Sequence, residues 1–392
     1  MRPICLLLAL SMASFPMASP LFSRAMDIPK DVAQKNKPVT IKVLLQEKEP
    51  SLFLEVKGPY KLFCPHTDVL LGSSSSAKRA KMSVDNRGLC WGSILPGSRA
   101  LRIVPDNNQT TIFVNGIQYK GCVEIYDLGG SLRVINEVGV EDYLKSCLAT
   151  SFFDIEEPEV LSALAIVLRT QTYYQIEQSP NASWHTTQAD SGYQGFAVTY
   201  QNLPLEEAIT KTRHAVLTYQ NHTFPTCFTE NSAGVTASFA SIFKKNIPTP
   251  KGVKIQGMEG ERLKSAWSFQ LAKDQLAKIA KLAQVSSAST FAEKVSGKVY
   301  AIKIENDSET KTLDFFALQE AVGKGKLKSN DFSIEVLDNA IRFKGYGQGN
   351  GVGLCLHSAD LMAKQGFDAK AILAKFYEEA SLEKMDKLPS FE

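Results

Sequence analysis

The sequence predicts an α+β fold, and three observations carry that reading. Short β-branched runs separated by turn residues fill residues ~38 to 135. A long, almost wholly apolar helical pattern follows the acidic run "IEEPE". Strand patterns then return, and the chain closes on a glycine-alternating loop followed by a helix. The expected order is a β-rich N-terminal part, buried central helices and a mixed C-terminal part.

In the first part, "VTIKVLLQ", "LFLEVKG", "ALRIVP", "TIFVNGIQYKG", "CVEIYDLGG" and "SLRVINEVG" read as strands. Gly58-Pro59, Asn115-Gly116 and Gly129-Gly130 supply the turns. Residues 72–81, "GSSSSAKRAK", read as an exposed basic loop. From Glu141, "EDYLKSCL" reads as a short helix. In the next helix Pro158 suits the first turn, Glu156, Glu157 and Glu159 complement the dipole, and Ser179-Pro180 ends it. Val160 to Leu168 is apolar nearly all round, so this helix is expected to be buried. Arg169 at its end either finds an acceptor in the interior or snorkels to the surface.

"LPLEEAITKTRHAVLTYQNHTF" reads as a helix and then a strand, and "CFTENSAGVTASFASIF" as a polar Ser/Thr/Gly turn between apolar ends. Helical stretches are expected around Trp267 and over "QLAKIAKLA". "KVYAIKIEND" and "FSIEVLDNAIRFKG" return to strand, with helices from about Leu356 to Lys364 and around "AKAILAKFYEEA".

Composition bounds function. A net charge of +3 over 392 residues gives no electrostatic case for nucleic acid. Arg2, the apolar run from Ile4 to Leu10 and the small residues Ala13, Ser14, Ala18 and Ser19 form a secretory signal pattern over about residues 1–24. That run is far shorter than the ~20 residues a spanning helix needs. An exported protein of the periplasm or envelope is expected, with no membrane span once the signal is removed. Beyond Cys5 in the signal, six cysteines are widely spaced with no C-x-x-C. An oxidising compartment would permit disulfides, and unpaired buried thiols are the alternative.

In "KGYGQGNGVGLCLHSADLMAKQGF" glycine stands at 345, 347, 349, 351 and 353. The phase is wrong for G-x-G-x-x-G, and no Lys-Ser or Lys-Thr follows as a Walker loop requires. Such alternation leaves one face of an extended segment bare, so something can approach the backbone closely.

Taken in order, "VINEVGVEDYLK", the helix ending "LRTQTYY", "EEAITKTRHAVLTYQN", "FTENSAGVT" and "FKGYGQGNGVGL" resemble the SpoIID/LytB family of bacterial sporulation and amidase-enhancer proteins. The resemblance covers about residues 38–382 and implies one domain over 35–392, with parts 35–135, 136–245 and 246–392. It implies lytic transglycosylase action on peptidoglycan, splitting the MurNAc–GlcNAc bond of denuded strands without water. One carboxyl acts first as acid and then as base.

The chain departs from the family where chemistry is expected. Ungapped, the catalytic Glu of the family's E-D-Y-L-K-G-V-V-P-S-E-M falls on Ser151, which cannot protonate a leaving oxygen near neutral pH. The family histidines fall on Thr229 and Asn350, and its loop glutamine on Leu356. Arg169 and the glycines remain. Glu230 and Asp154 are the candidate replacement acids. Glu230 could equally pair with Arg169, and Asp154 could serve only a helix dipole. Arg169, Ser232, Gly234, Gly349, Asn350 and Gly351 are the expected glycan-binding residues, with a sugar chain lying against the bare glycine backbone. The region "SWHTTQADSGYQGF" has His185 but no cysteine, so neither zinc nor any other cofactor is expected. Two functions stay open: strand cleavage with a relocated acid, or a peptidoglycan-binding scaffold that has lost catalysis or activates a cell-wall amidase.

Overall fold

The computed structural model describes residues 39–199 and 202–386, so the signal pattern over 1–24 lies outside the described residues. The described residues divide into two compact units, one within 39–154 and 175–209, the other of residues 155–174 and 210–385.

The first unit is built on two sheets. In the seven-stranded sheet Thr40–Glu49 pairs antiparallel with Leu132–Gly139, which is followed in order by Cys122–Asp127, Ala100–Pro105, Tyr60–Phe63 and the edge strand Leu70–Ser74. Thr186–Thr187 closes the other edge in parallel. The six-stranded sheet runs Ile117–Tyr119, Thr111–Val114, Ser51–Lys57, Lys78–Asp85, Gly88–Trp91, Ser93–Pro96. Period-two alternation decides which face is covered. Leu52, Leu54 and Val56 are buried while Phe53 is exposed, and Trp91 is fully buried with its indole N–H donating to Leu54 O at 3.1 Å.

The basic stretch 72–81 is not a loop. Leu70–Ser74 and Lys78–Asp85 are both strands, the second in the interior of the six-stranded sheet. Its polar composition hides an alternation in which Met82 points inward and Arg79 and Lys81 point to solvent.

Helix Val140–Ser151 buries Val140, Tyr143, Leu144, Cys147 and Leu148, the i, i+3, i+4, i+7, i+8 stripe of a surface helix. The Ser146 hydroxyl accepts the Gln194 N–H at 2.9 Å. Buried Asn136 is fully used: its amide donates to Lys120 O and Cys122 O, and its Oδ1 accepts the Tyr193 hydroxyl at 2.7 Å.

Helix Pro158–Gln178 is buried without interruption from Val160 to Leu168, as its all-apolar pattern predicts. The second unit contains the antiparallel sheet Ala266–Ala272, Ala340–Tyr346, Phe332–Val336 and a three-stranded meander of Ser287–Ala292, Val299–Glu305 and Thr310–Asp314. Helices Lys273–Ala280 and Phe315–Val322 cover their shared core of Leu276, Ile302, Ile304, Leu318, Ile341 and Phe343. Trp267, expected on a helix, lies in strand Ala266–Ala272. Its partner strand is remote in sequence, so local pattern gave the wrong period. Helices Leu356–Lys364 and Ala369–Phe376 lie close to where the sequence places them, and strand Ser381–Lys384 then pairs antiparallel with Ala215–Thr218.

Candidate functional site

The glycine loop of the second unit is the meeting place of several remote segments. Strand Phe228–Thr229 runs parallel to Leu354–Cys355. Asn231 and Gln348 exchange backbone hydrogen bonds at 2.9 and 2.8 Å. The Thr229 hydroxyl donates to Gln348 O at 3.0 Å and accepts the Gly351 N–H at 3.1 Å. A serine or threonine hydroxyl can do both at once, so this residue stitches the turn to the loop. Glu230 is fixed next to it, its carbonyl accepting the His357 N–H at 3.0 Å.

The glycines are bare for a reason other than the one expected. A Cβ on Gly349 would stand 2.3 Å from Glu230 Oε2 and 2.4 Å from Thr229 Oγ1. On Gly347 it would meet Asn231 O, on Gly345 the Trp267 ring, on Gly351 the Asn330 and Lys298 side chains, and on Gly353 Cys227 O. The protein's own atoms fill the space that a sugar chain was expected to use. The loop's N–H groups are also taken: Gly347 donates to Ser265 O, Gly349 to Lys328 O and Leu354 to Cys227 O. What the loop offers a ligand is therefore its side chains, above all exposed Gln348 and half-buried Asn350.

Asn350 is itself partly committed. Its Oδ1 accepts the Val352 N–H at 2.9 Å, and its carbonyl accepts Asn330 Nδ2 at 2.7 Å. Ser232 is fully buried. Its N–H donates to Cys355 Sγ at 3.2 Å, while its hydroxyl has no protein partner. Gly234 holds φ +87° against Met258 and accepts the Ile255 N–H. Arg169 does not snorkel: it is fully buried, and its Nη1 donates to Ala215 O at 3.1 Å. Its neighbour Thr170 accepts the Leu217 N–H at 2.8 Å.

Beneath the turn lies a charge cluster that sequence reading missed. Lys298 Nζ is buried, donating to Ser232 O at 2.7 Å and to Asp331 Oδ2 at 2.9 Å. Asp331 also takes a two-pronged contact from Arg262, at 2.5 and 2.9 Å. Burial holds the Lys298 ammonium below the usual lysine range, against the pull of Asp331. The hydrogen bond to Asp331 holds Arg262 above its usual value. Arg262 also lies over the Tyr346 ring, 4.2 Å from its centroid. Nothing in "VSGKVY" marks Lys298. Asn330-Asp331 sits in an S-N-D cluster before a strand, which signals a turn only. Beside the loop, His357 Nε2 lies 3.2 Å from Glu261 Oε2.

The remaining expected residues lie in the first unit. Ser151 is the last residue of its helix, its hydroxyl oxygen buried without a partner. Asp154, just beyond, is exposed. His185 is also in this unit, its Nδ1 accepting the Lys42 N–H at 2.9 Å. Cys147 in the first unit and Cys227 in the second are buried thiols, each pushed up to about 12 by burial. They are packing groups rather than nucleophiles. Among the described residues no helix is long and apolar enough to cross a membrane.

Residues 129–219 match the family described as SpoIID, Stage II sporulation protein. The chain is 35% identical over 179 residues to an uncharacterized protein of Chlamydia pneumoniae, covering 45% of this chain and 65% of that protein. A Chlamydia muridarum protein is 36% identical over 179 residues, covering 45% and 62%. The chain thus spans less than two thirds of either chlamydial relative. Stage II sporulation protein D of Bacillus subtilis is 24% identical over 268 residues, covering 64% of this chain and 76% of that protein.

Proposed function

We propose, for a chain that residues 129–219 place in the SpoIID family, that the region 35–392 cleaves denuded peptidoglycan strands as an exported lytic transglycosylase of the bacterial envelope. The observation that carries this reading is Glu230. Of the two candidate acids it alone belongs to the junction of the polar turn and the glycine loop, its carboxylate against Gly349. In the reaction its protonated carboxyl gives its proton to the oxygen of the MurNAc–GlcNAc bond as that bond breaks at C1. The C6 hydroxyl then closes on C1, and the carboxylate takes the hydroxyl proton. The product is a 1,6-anhydro end, no water is consumed, and the acid is regenerated. Gln348 and Asn350 offer amides to sugar hydroxyls beside it.

Denuded strands incubated with the purified protein should yield anhydro-ended products identified by mass, and Glu230→Gln should abolish them. A silent wild-type protein overturns the cleavage reading.

A second reading has its own support. The resemblance puts Ser151 where the family carries its acid, a hydroxyl there cannot donate a proton near neutral pH, and Asn350 Oδ1 is committed to the Val352 N–H. On that reading the protein holds glycan strands without cutting them, or presents them to an amidase. It predicts co-sedimentation with sacculi, no anhydro ends, and a faster amidase in its presence.

A further inference from the structure

The solvent-facing side of the six-stranded sheet in the first unit carries a combination that its fold does not need. Phe53 is 57% exposed on an interior strand. Directly across the ladder from it stands Lys81, and Glu55 is across from Arg79 on one side and Phe113 on the other. Lys57 Nζ lies 4.7 Å from the Phe113 ring centroid. One carboxylate, Glu55, serves two of the cations, at 3.5 Å from Lys57 and 3.8 Å from Arg79. The Lys57 and Arg79 side chains stay 58% and 73% exposed. No carboxylate pairs with Lys81 among the described residues. Asp85, further along the same face, is taken by Arg87. Opposite residues on a ladder have their Cβ atoms about 5 Å apart, so the ring and the cations form one continuous patch.

We infer that this face is a second binding surface for the glycan strand, recognising the carboxylate that each denuded MurNAc carries on its lactyl group. The inference rests on the substrate class proposed above. The exposed Phe53 ring gives the apolar face of a pyranose a flat partner, and an excess of cations gives the strand's repeating carboxylates theirs. An apolar protein partner would meet uncancelled charge, and an uncharged glycan would leave the cations unused. The complementary ligand is both sugar and polyanion.

The experiment uses the full chain and measures retention on denuded strands, on chitin oligomers and on phosphatidylglycerol vesicles. Phe53→Ser and the double variant Arg79→Gln/Lys81→Gln alter exposed side chains only. Each should lower strand retention about tenfold. Wild-type retention should fall with added salt and be weak on chitin. Strand retention unchanged in both variants overturns the inference, as does equal retention on chitin, or vesicle binding in place of strand binding. Glu230→Gln is run in parallel. If no protein forms anhydro ends while Phe53→Ser still loses retention, cleavage fails and this surface stands. If Glu230→Gln alone loses activity and the surface variants bind as wild type, this surface fails and cleavage stands.

Discussion

Lys298 and Asp331 form a buried ion pair, 2.9 Å from Nζ to Oδ2, and the same ammonium reaches Ser232 O at 2.7 Å. The cation, one residue before strand Val299–Glu305, thereby fastens the polar turn that carries Glu230 to the start of that strand. Such a pair is specific because either half alone is costly.

Lys298→Met should destabilise the protein by about 3 kcal/mol, since it strips Ser232 O of its donor and leaves Asp331 to Arg262 alone. Urea unfolding of the full chain measures this. A cost below that of an ordinary surface change would show the pair to be dispensable. The pH dependence has a definite sign. The folded pKa of Lys298 lies below its ordinary 10.5, so between the two values the unfolded chain holds a proton that the folded chain releases. This group therefore adds stability as pH rises through that window and removes it as pH falls.

Gly349→Ala tests the contact with Glu230. The backbone there has φ +100°, and the new methyl would collide with the carboxylate. The expected cost is about 2 kcal/mol in stability. Strand cleavage should fall about a hundredfold as Glu230 is displaced. Cleavage at the wild-type rate would detach Glu230 from the chemistry.

His185 should set an acid limit on the first unit. Its pKa is lowered from 6.5 to about 4, chiefly by burial and secondarily by Lys42, with Glu137 opposing. Its Nδ1 already accepts a backbone N–H, which protonation would expel. Below pH 6.5 the unfolded chain gains a proton that the folded chain resists. Stability from this group is complete above 6.5 and falls by about 3 kcal/mol as pH approaches 4. His185→Gln should flatten that slope in thermal melts across the same range. An unchanged slope would place the acid sensitivity elsewhere.

Ser151→Glu, made on the Glu230→Gln background, puts a carboxyl where the resemblance to the SpoIID/LytB family implies an acid. Anhydro ends should reappear in the product analysis. Their continued absence would separate that helix end from catalysis in this chain.

Much of this architecture is legible in the sequence because its signals are local. The buried helix shows in nine consecutive small or apolar residues, Val160 to Leu168, and the last helices in their helix-like patterns. The failures share one cause. Met82 follows a run of basic and serine residues, and pairing with Ser51–Lys57 makes its neighbourhood a strand. Trp267 takes its conformation from Ala340–Tyr346, far away in sequence. The site divides in the same way. Arg169, Ser232 and Glu230 stand in recognisable motifs. Lys298 meets Asp331 across 33 residues and Arg262 meets it across 69, so no window of sequence shows the cluster. The glycines were visible, but not what presses against them.

That last point bears on how the chain assembles. Trp267, Lys298 and the segment from Cys227 to Asn231 are three separate stretches, and between them they abut all five glycines of one nine-residue loop. The loop can reach its native path only after those stretches are in place, so it is a keystone set late rather than a nucleus formed early. Its amides, many of them bonded to distant partners, should exchange with solvent only when the whole second unit opens.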